Sequence, residues 1–267
     1  MPQLVICDID ATLVNEKKEL TPRTKKALIK LHEKGIYFGI ASGRPVDELK
    51  RNKERWDLPF NFDFVMGMNG AELWDGVHQK FYSYFMMKKE WLKETMEIMN
   101  VVECNPMVYW KGKIRCVRID DMMIHSASTS HKELEIVRLE DLYANENAKI
   151  MFRMKEEDMP KAEAWVKAHP NPYYHGFKTQ TTLLEFCDKR INKGYGLQKI
   201  CELNDMDLKD VMAFGDTSND NEMLKVAGCG VCMINGTDDT KACANAITTY
   251  DNDHDGLAIY LEESEIV

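Results

Sequence analysis

Two aspartates separated by one residue, Asp8 and Asp10, close a short apolar run, Leu4-Val5-Ile6-Cys7. Carboxylates that near each other repel unless a cation lies between them or one holds a proton. Further along the chain, Ser42-Gly43 follows a second apolar run, and Asp216 follows a third, Val211-Met212-Ala213-Phe214. Lys193 precedes a stretch with helical character. Asp8, Asp10 and Asp216 together could bind Mg²⁺ through oxygen alone, with waters completing the octahedron. Such an ion offsets phosphate charge and leaves one carboxylate oxygen free to attack phosphorus. The Ser42 hydroxyl and the Gly43 amide could hold phosphate oxygens, and Lys193 could offset charge on the equatorial oxygens. Phosphoryl transfer requires these groups together. Taken singly, each is ordinary. Paired aspartates at a strand end are usually solvated turn residues, Asn69-Gly70 is a common hairpin turn, and Asp216-Thr217-Ser218-Asn219-Asp220 reads equally well as an N-capping cluster.

The elements that must position these residues follow from periodicity. In an open parallel sheet, ligands bind at the carboxyl ends of the strands, where several loops converge. Leu4 to Asp8 reads as a buried strand. Thr21-Pro22 opens a helix that runs through Ala27, Leu28 and Leu31 and stops at Gly35. Strands are expected at Ile36–Ala41 and Phe62–Met66, with another helical stretch after Pro45. After about Ser83 the rhythm changes: helices near Lys88–Met99 and Met159–Ala168 alternate with strands near Ile114–Ile119, Ala148–Met154 and Thr182–Phe186. The short α/β rhythm then resumes with a helix at Gly196–Leu203, a strand at Val211–Phe214 and a helix at Asn219–Val226. A strand at Gly230–Ile234 and a helix at Asp238–Asn245 follow. The expected architecture is an α/β doubly wound parallel sheet, Rossmann-like, formed by residues 1–83 and 188–267, with an α+β insertion at 84–187.

Bulk properties narrow the function. With 44% hydrophobic and 30% charged residues the composition is that of a soluble globular protein, so disorder is not the default. A formal net charge of -9 argues against a general nucleic-acid binder, which needs a basic footprint. The N-terminal run lacks the basic region and cleavage site of a signal peptide, and no apolar stretch has the length of a membrane helix. The eight cysteines are scattered, as expected in a reducing cytoplasm, and Cys229-Gly230-Val231-Cys232 reads as a small-residue strand rather than a redox or zinc pair.

Together these motifs resemble the haloacid dehalogenase superfamily, and within it the Cof-type phosphatases that carry the larger α+β cap, type IIB. The resemblance rests on Asp8-Ile9-Asp10-Ala11-Thr12-Leu13, Ala41-Ser42-Gly43-Arg44-Pro45, Asn69-Gly70-Ala71 and Asn192-Lys193-Gly194. It extends to Gly215-Asp216-Thr217-Ser218-Asn219-Asp220-Asn221-Glu222-Met223-Leu224 and the tail from Asp251 to Ala258. It implies that Asp8 attacks phosphorus to form an aspartyl-phosphate. Asp10 then protonates the leaving alcohol and later deprotonates the hydrolytic water. It implies Mg²⁺ on the Asp8 side chain, the Asp10 backbone carbonyl and the Asp216 side chain, and a phosphoryl group touched by Ser42, Lys193 and Asn219. Thr12 and Asp220 stand behind these groups, Asp220 orienting Lys193 or a metal-bound water. The insertion would be the substrate-specificity domain, and the substrate a small phosphorylated metabolite such as a sugar phosphate. One position departs from the pattern: Ala11 stands where the family usually has glycine. A positive φ there would cost on the order of 1 kcal/mol and bear on loop motion more than on chemistry.

Other readings share parts of this pattern. A phosphomutase of the same superfamily would need a second phosphate clamp, for which Lys111, Lys113, Arg115 and Arg118 are candidates, although alternating charges on a strand usually mark a solvated face. A phosphometabolite-binding protein on a dead enzyme would be expected to lack Asp8, Asp10, Lys193 or Asp216, and all four are present. A dinucleotide-binding oxidoreductase would carry GxGxxG after the first strand. A dehalogenase has no use for the acid at Asp10. Tyr109, Trp110, Tyr173 and Tyr174 could stack on a substrate ring, with core packing the expected role.

Overall fold

Leu4 to Cys7 are fully buried, as a strand covered on both faces of a parallel sheet requires. They form β1 (Leu4–Asp8) in a fold given by a computed structural model that describes residues 1–267. Thr21 caps α1 (Pro22–Glu33) by accepting from the Thr24 amide, and Pro22 takes the first turn, where its missing N–H is no loss. Thr24, Ala27, Leu28 and Leu31 form the buried stripe of that helix. The chain continues through β2 (Tyr37–Ala41), the short α2 (Val46–Leu49) and α3 (Asn52–Arg55), β3 (Phe64–Gly67), β4 (Glu72–Asp75) and β5 (Lys80–Ser83).

Residues Ser83–Ile191 form a separate compact unit, distinct from the unit made by Met1–Tyr82 and Asn192–Val267. Its elements are α4 (Lys89–Met99), β6 (Cys104–Trp110), β7 (Lys113–Cys116), α5 (Asp121–Ser130), β8 (Glu133–Ile136), α6 (Leu139–Leu142), β9 (Lys149–Met154), α7 (Met159–Ala168), β10 (Tyr174–Gln180) and β11 (Leu183–Asp188). The strands order as β10-β11-β9-β6-β7-β8, antiparallel throughout except for the parallel pair β7–β8. Alternation along β9 sends Ile150, Phe152 and Met154 into one core with Leu92 and Met96 of α4 and Ala162 of α7. Met151 enters a second core with Met123 of α5.

The first unit then resumes with α8 (Lys193–Leu203), β12 (Val211–Gly215), α9 (Asn221–Val226), β13 (Cys229–Cys232), α10 (Asp238–Cys243), β14 (Ala246–Ile247) and α11 (Gly256–Glu263). Its eight strands order as β14-β13-β12-β1-β2-β3-β4-β5. The pairs from β14 to β3 are parallel, and β4 runs antiparallel to β3. Register decides what meets at the sheet's edge. Asp8 is level with Ala41 of β2, and Cys7 is level with Phe214 of β12. The segments after β1, β2 and β12 therefore emerge side by side.

Several elements differ from the sequence reading. The helix expected from Gly196 begins at Lys193, because Asn192 caps it by accepting from the Tyr195 amide at 2.8 Å. The helix expected from Asn219 begins at Asn221, preceded by a 3-10 turn at Ser218–Asp220. The separate unit closes at Ile191 rather than 187. β4, β5 and α5 carry too few apolar residues in period to stand out in the sequence. Cys229 and Cys232 lie at the two ends of β13 and are free thiols, as are the other six cysteines.

Candidate active site

β1 delivers Asp8 to the carboxyl edge of the sheet with its side chain almost wholly out of solvent. Lys193, at the first position of α8 and fully buried, donates to Asp8 Oδ1 and also to Asp220 Oδ1 at 2.6 Å. A lysine in the first turn of a helix opposes the macrodipole, so α8 begins with a locally unfavourable residue that the two carboxylates hold in place. Burial disfavours the ammonium, yet Asp220 and Asp8 outweigh it and hold the Lys193 pKa above its ordinary value.

Asp220 reaches this position because residue 215 is glycine. A Cβ on Gly215 would lie 2.5 Å from the Asp220 Cβ. The carboxylate folds beneath the turn, where Oδ2 accepts from the amides of Asp216 (3.0 Å) and Thr217 (3.2 Å). One Asp220 oxygen thus holds Lys193 and the other holds two amides of the turn. Gly196 serves a similar purpose in α8, since a Cβ there would approach Met66 Sδ to 2.7 Å and the Gly70 Cα to 3.0 Å. Thr12, buried, donates its hydroxyl to Asp216 Oδ1 at 2.9 Å and so fixes that carboxylate.

The oxygens of Asp8, Asp216 and Asp220 lie within 4.8 Å of one another. Three carboxylates face a single ammonium. Burial first, then Asp220 and Asp216, push the Asp8 carboxyl well above the usual carboxylate range against the pull of Lys193. Burial and Asp220 likewise push Asp216 up to about 6. An all-oxygen set with an excess of two negative charges fits a divalent hard cation, which would relieve that repulsion.

The Asp10 side chain does not join this group. It accepts from Arg44 Nη2 at 3.0 and 3.3 Å and pairs with Lys18 Nζ at 2.8 Å. Burial raises its pKa, but Arg44 and Lys18 outweigh burial and hold it below the usual value. Sequence reasoning assigned no task to Arg44 or Lys18, although Arg44 follows directly on Ser42-Gly43. Between Asp10 and Thr12, Ala11 takes φ 60°, the left-handed conformation that glycine adopts more easily. Asn235 Nδ2 donates to the Ala11 carbonyl at 2.8 Å.

Ser42 is buried just after β2, and its Oγ accepts from the Arg44 amide at 3.3 Å, leaving the hydroxyl hydrogen to donate elsewhere. Asn69, at φ 55° in the turn after β3, donates its amide to the Ser42 carbonyl. Its side-chain oxygen accepts from Asn219 Nδ2 at 3.3 Å. Gly43 lies against the same Asn69 side chain, which a Cβ would meet at 3.4 Å. Asp8, Lys193, Asp216 and Asp220 are thus joined by direct contacts, and Ser42, Gly43 and Asn219 gather around Asn69, a residue of the Asn69-Gly70-Ala71 motif to which the sequence assigned no task.

In the separate unit, three of the four basic residues of the run meet acids. Lys113 pairs with Glu133 at 3.0 Å, Arg115 with Glu135 at 2.7 Å, and Arg118 with Glu103 and Asp120 at 3.4 Å each. Lys111 alone of the four has no acid partner, its Nζ lying 5.6 Å from the Trp110 ring centroid, so the run offers a second phosphate clamp a single unpaired cation. Of the four aromatic residues, Tyr174 is core and Tyr173 stacks on Trp91 with centroids 5.2 Å apart.

Residues 5–261 match the family described as haloacid dehalogenase-like hydrolase. The chain is 27% identical over 272 residues to the 5-amino-6-(5-phospho-D-ribitylamino)uracil phosphatase YitU of Bacillus subtilis, spanning 98% of this chain and 97% of that one. It is 27% identical over 260 residues to a second B. subtilis phosphatase of the same description, YcsE, spanning 96% and 93%. Among solved structures, a haloacid dehalogenase-like hydrolase from Bacteroides thetaiotaomicron superposes with a TM-score of 0.88 at 25% identity, covering 99% of this chain and 100% of that one. A subclass IIB sugar phosphatase shares the fold at a TM-score of 0.83 and 23% identity, covering 99% of each chain.

Proposed function

The chain belongs to the haloacid dehalogenase-like hydrolases, and from that premise we propose that it is a Mg²⁺-dependent phosphomonoesterase in which Asp8 is the nucleophile and Asp10 the proton carrier. The observation that carries this reading is the Asp8 carboxylate at a strand end, held by a buried lysine that it shares with Asp220 and crowded by Asp216. A bound Mg²⁺, on the Asp8 and Asp216 side chains and the Asp10 backbone carbonyl, would supply charge neutralisation at phosphate. Lys193 fixes one Asp8 oxygen, so the other can be presented to phosphorus as an aspartyl-phosphate forms. Ser42, Gly43 and Asn219 then hold the equatorial oxygens.

Asp10 stands apart from the acid cluster, and its assigned task is to serve the leaving oxygen and then the hydrolytic water. Arg44 and Lys18 fix its position but favour its ionised form. The proton-donating step requires that their charge be offset, and a phosphate dianion supplies two negative charges for the purpose.

YitU and YcsE are both named for a substrate whose phosphate sits on a ribityl chain. Such a chain and an open-chain sugar phosphate present the same terminal group, a primary phosphoester on a polyhydroxylated carbon chain. A phosphorylated polyol of this kind, such as a sugar phosphate, is the substrate class assigned here, and residues 83–191 are assigned its selection. Eight free thiols support a cytoplasmic setting. The test is phosphate release across sugar phosphates, flavin mononucleotide, nucleotides and pyridoxal phosphate, with and without chelation. Release should stop in EDTA and return with Mg²⁺, and should be fastest on a polyol phosphate. Undiminished turnover after thorough chelation removes the metal from the mechanism.

A further inference from the structure

Val65 of β3 and Trp74 of β4 are partners across the antiparallel pair, so their side chains share one face of the sheet. That face, with the buried Phe62, floors a groove of about 390 Å³ whose rim carries Lys50, Arg51 and Lys53 from the end of α2 and the start of α3. The groove lies toward the start of β3, whereas the Ser42–Asn69 contact lies beyond its end, and none of its lining residues belongs to the phosphate site.

The rim is a local concentration of positive charge in a chain whose formal charge is -9. Lys50, Arg51 and Lys53 form no ion pair, and Glu54 is the single acid among the lining residues. Lys50 is held instead by the Trp74 ring, its Nζ 3.4 Å from the centroid. An ammonium placed by an aromatic face keeps its full charge, which a carboxylate partner would cancel. Three cations with one opposing acid suit an anion of two or more charges. The apolar floor and the volume exceed what an inorganic ion would fill and fall within the range of small-molecule sites.

We propose that this groove is a second anion site that takes a small organic diphosphate, its phosphates on Lys50, Arg51 and Lys53 and its organic part on Phe62 and Val65. The site is independent of the phosphatase reading, which stands or falls on phosphate release by the wild-type protein.

The test uses adenosine diphosphate and isothermal calorimetry on the full chain in EDTA, where turnover is not expected. Wild type should bind saturably at a single site. The Lys50→Gln/Lys53→Gln protein should bind roughly tenfold or more weakly, through loss of charge-assisted contacts. Its Mg²⁺-supported phosphate release from a phosphomonoester should remain at the wild-type rate. Lys50→Arg/Lys53→Arg, which keeps the charge, should retain affinity, and Ser42→Ala should bind as wild type does. No saturable binding by wild type, undiminished binding by the Gln variant, or binding lost in Ser42→Ala would each overturn the proposal.

Discussion

Replacing Ala11 by glycine separates backbone strain from chemistry. Ala11 adopts φ 60° in the turn that leaves β1. The turn is imposed from outside the residue: Leu13 and Val14 both donate their amides to the Ile9 carbonyl, and Asn235 holds the Ala11 carbonyl. An L-residue in this conformation carries strain of about 1–2 kcal/mol, which glycine lacks. Glycine in turn adds freedom to the unfolded chain, an opposing effect of about 0.4–1 kcal/mol. Ala11→Gly should therefore stabilise the protein by roughly 0.5–1 kcal/mol. Denaturant unfolding should show the midpoint rise without a change in slope. Because no catalytic side chain is altered, the turnover number should change by only about twofold or threefold, as a loop effect would. A variant less stable than wild type would refute the strain argument. A fall of about a hundredfold in turnover would show that the Ala11 methyl takes part in catalysis rather than merely bearing strain.

Two further substitutions probe the acid groups. Asp10→Asn should lower phosphate release from an alkyl phosphate by about 10²–10⁴-fold, and much less from an aryl phosphate whose leaving group needs no proton. KM should stay near the wild-type value, and an equal loss on both substrates would deny Asp10 the proton-carrying role. Asp75 is fully buried and accepts from the His78 amide (3.0 Å), His78 Nδ1 (2.9 Å) and Asn204 Nδ2 (3.1 Å), tying β4 to the end of α8. Asp75→Asn should destabilise by about 1–3 kcal/mol at neutral pH. Burial raises this carboxyl, but His78 and Asn204 outweigh it and leave its pKa below the ordinary value. A depressed folded pKa contributes stability that is full above the unfolded value of about 3.9 and fades as pH falls through the folded one. The gap between wild type and variant should accordingly close in acid, and a gap that widened there would contradict the assignment.

The parts of the site legible in the sequence are those fixed by local pattern. Asp8, Ser42 and Asp216 each follow an apolar run that must be a buried strand, so their edge position could be read directly. What the sequence hid depends on tertiary contact. Arg44 and Lys18 converge on Asp10 from different segments, and no spacing announces it. Lys193-Gly194-Tyr195-Gly196 is a poor helix opening by propensity, which moved the expected start of α8 to Gly196. Asn192 caps it, and the glycines are required because Gly196 packs on Gly70 and Met66 while a Cβ on Gly194 would meet the Glu222 carbonyl oxygen at 2.6 Å. The basic run from Lys111 to Arg118 invited a clamp reading because its acids, Glu133 and Glu135, lie on a strand some twenty residues further on.

Phosphoryl transfer to Asp8 is the central claim, and rapid acid quench during turnover addresses it most directly, followed by mass analysis of the peptide spanning β1. The wild-type protein should carry one phosphoryl group on that peptide, located at Asp8, while Asp8→Asn carries none and releases no phosphate. Asp8→Asn turning over at the wild-type rate, or a phosphoryl group trapped on a different side chain, would contradict it.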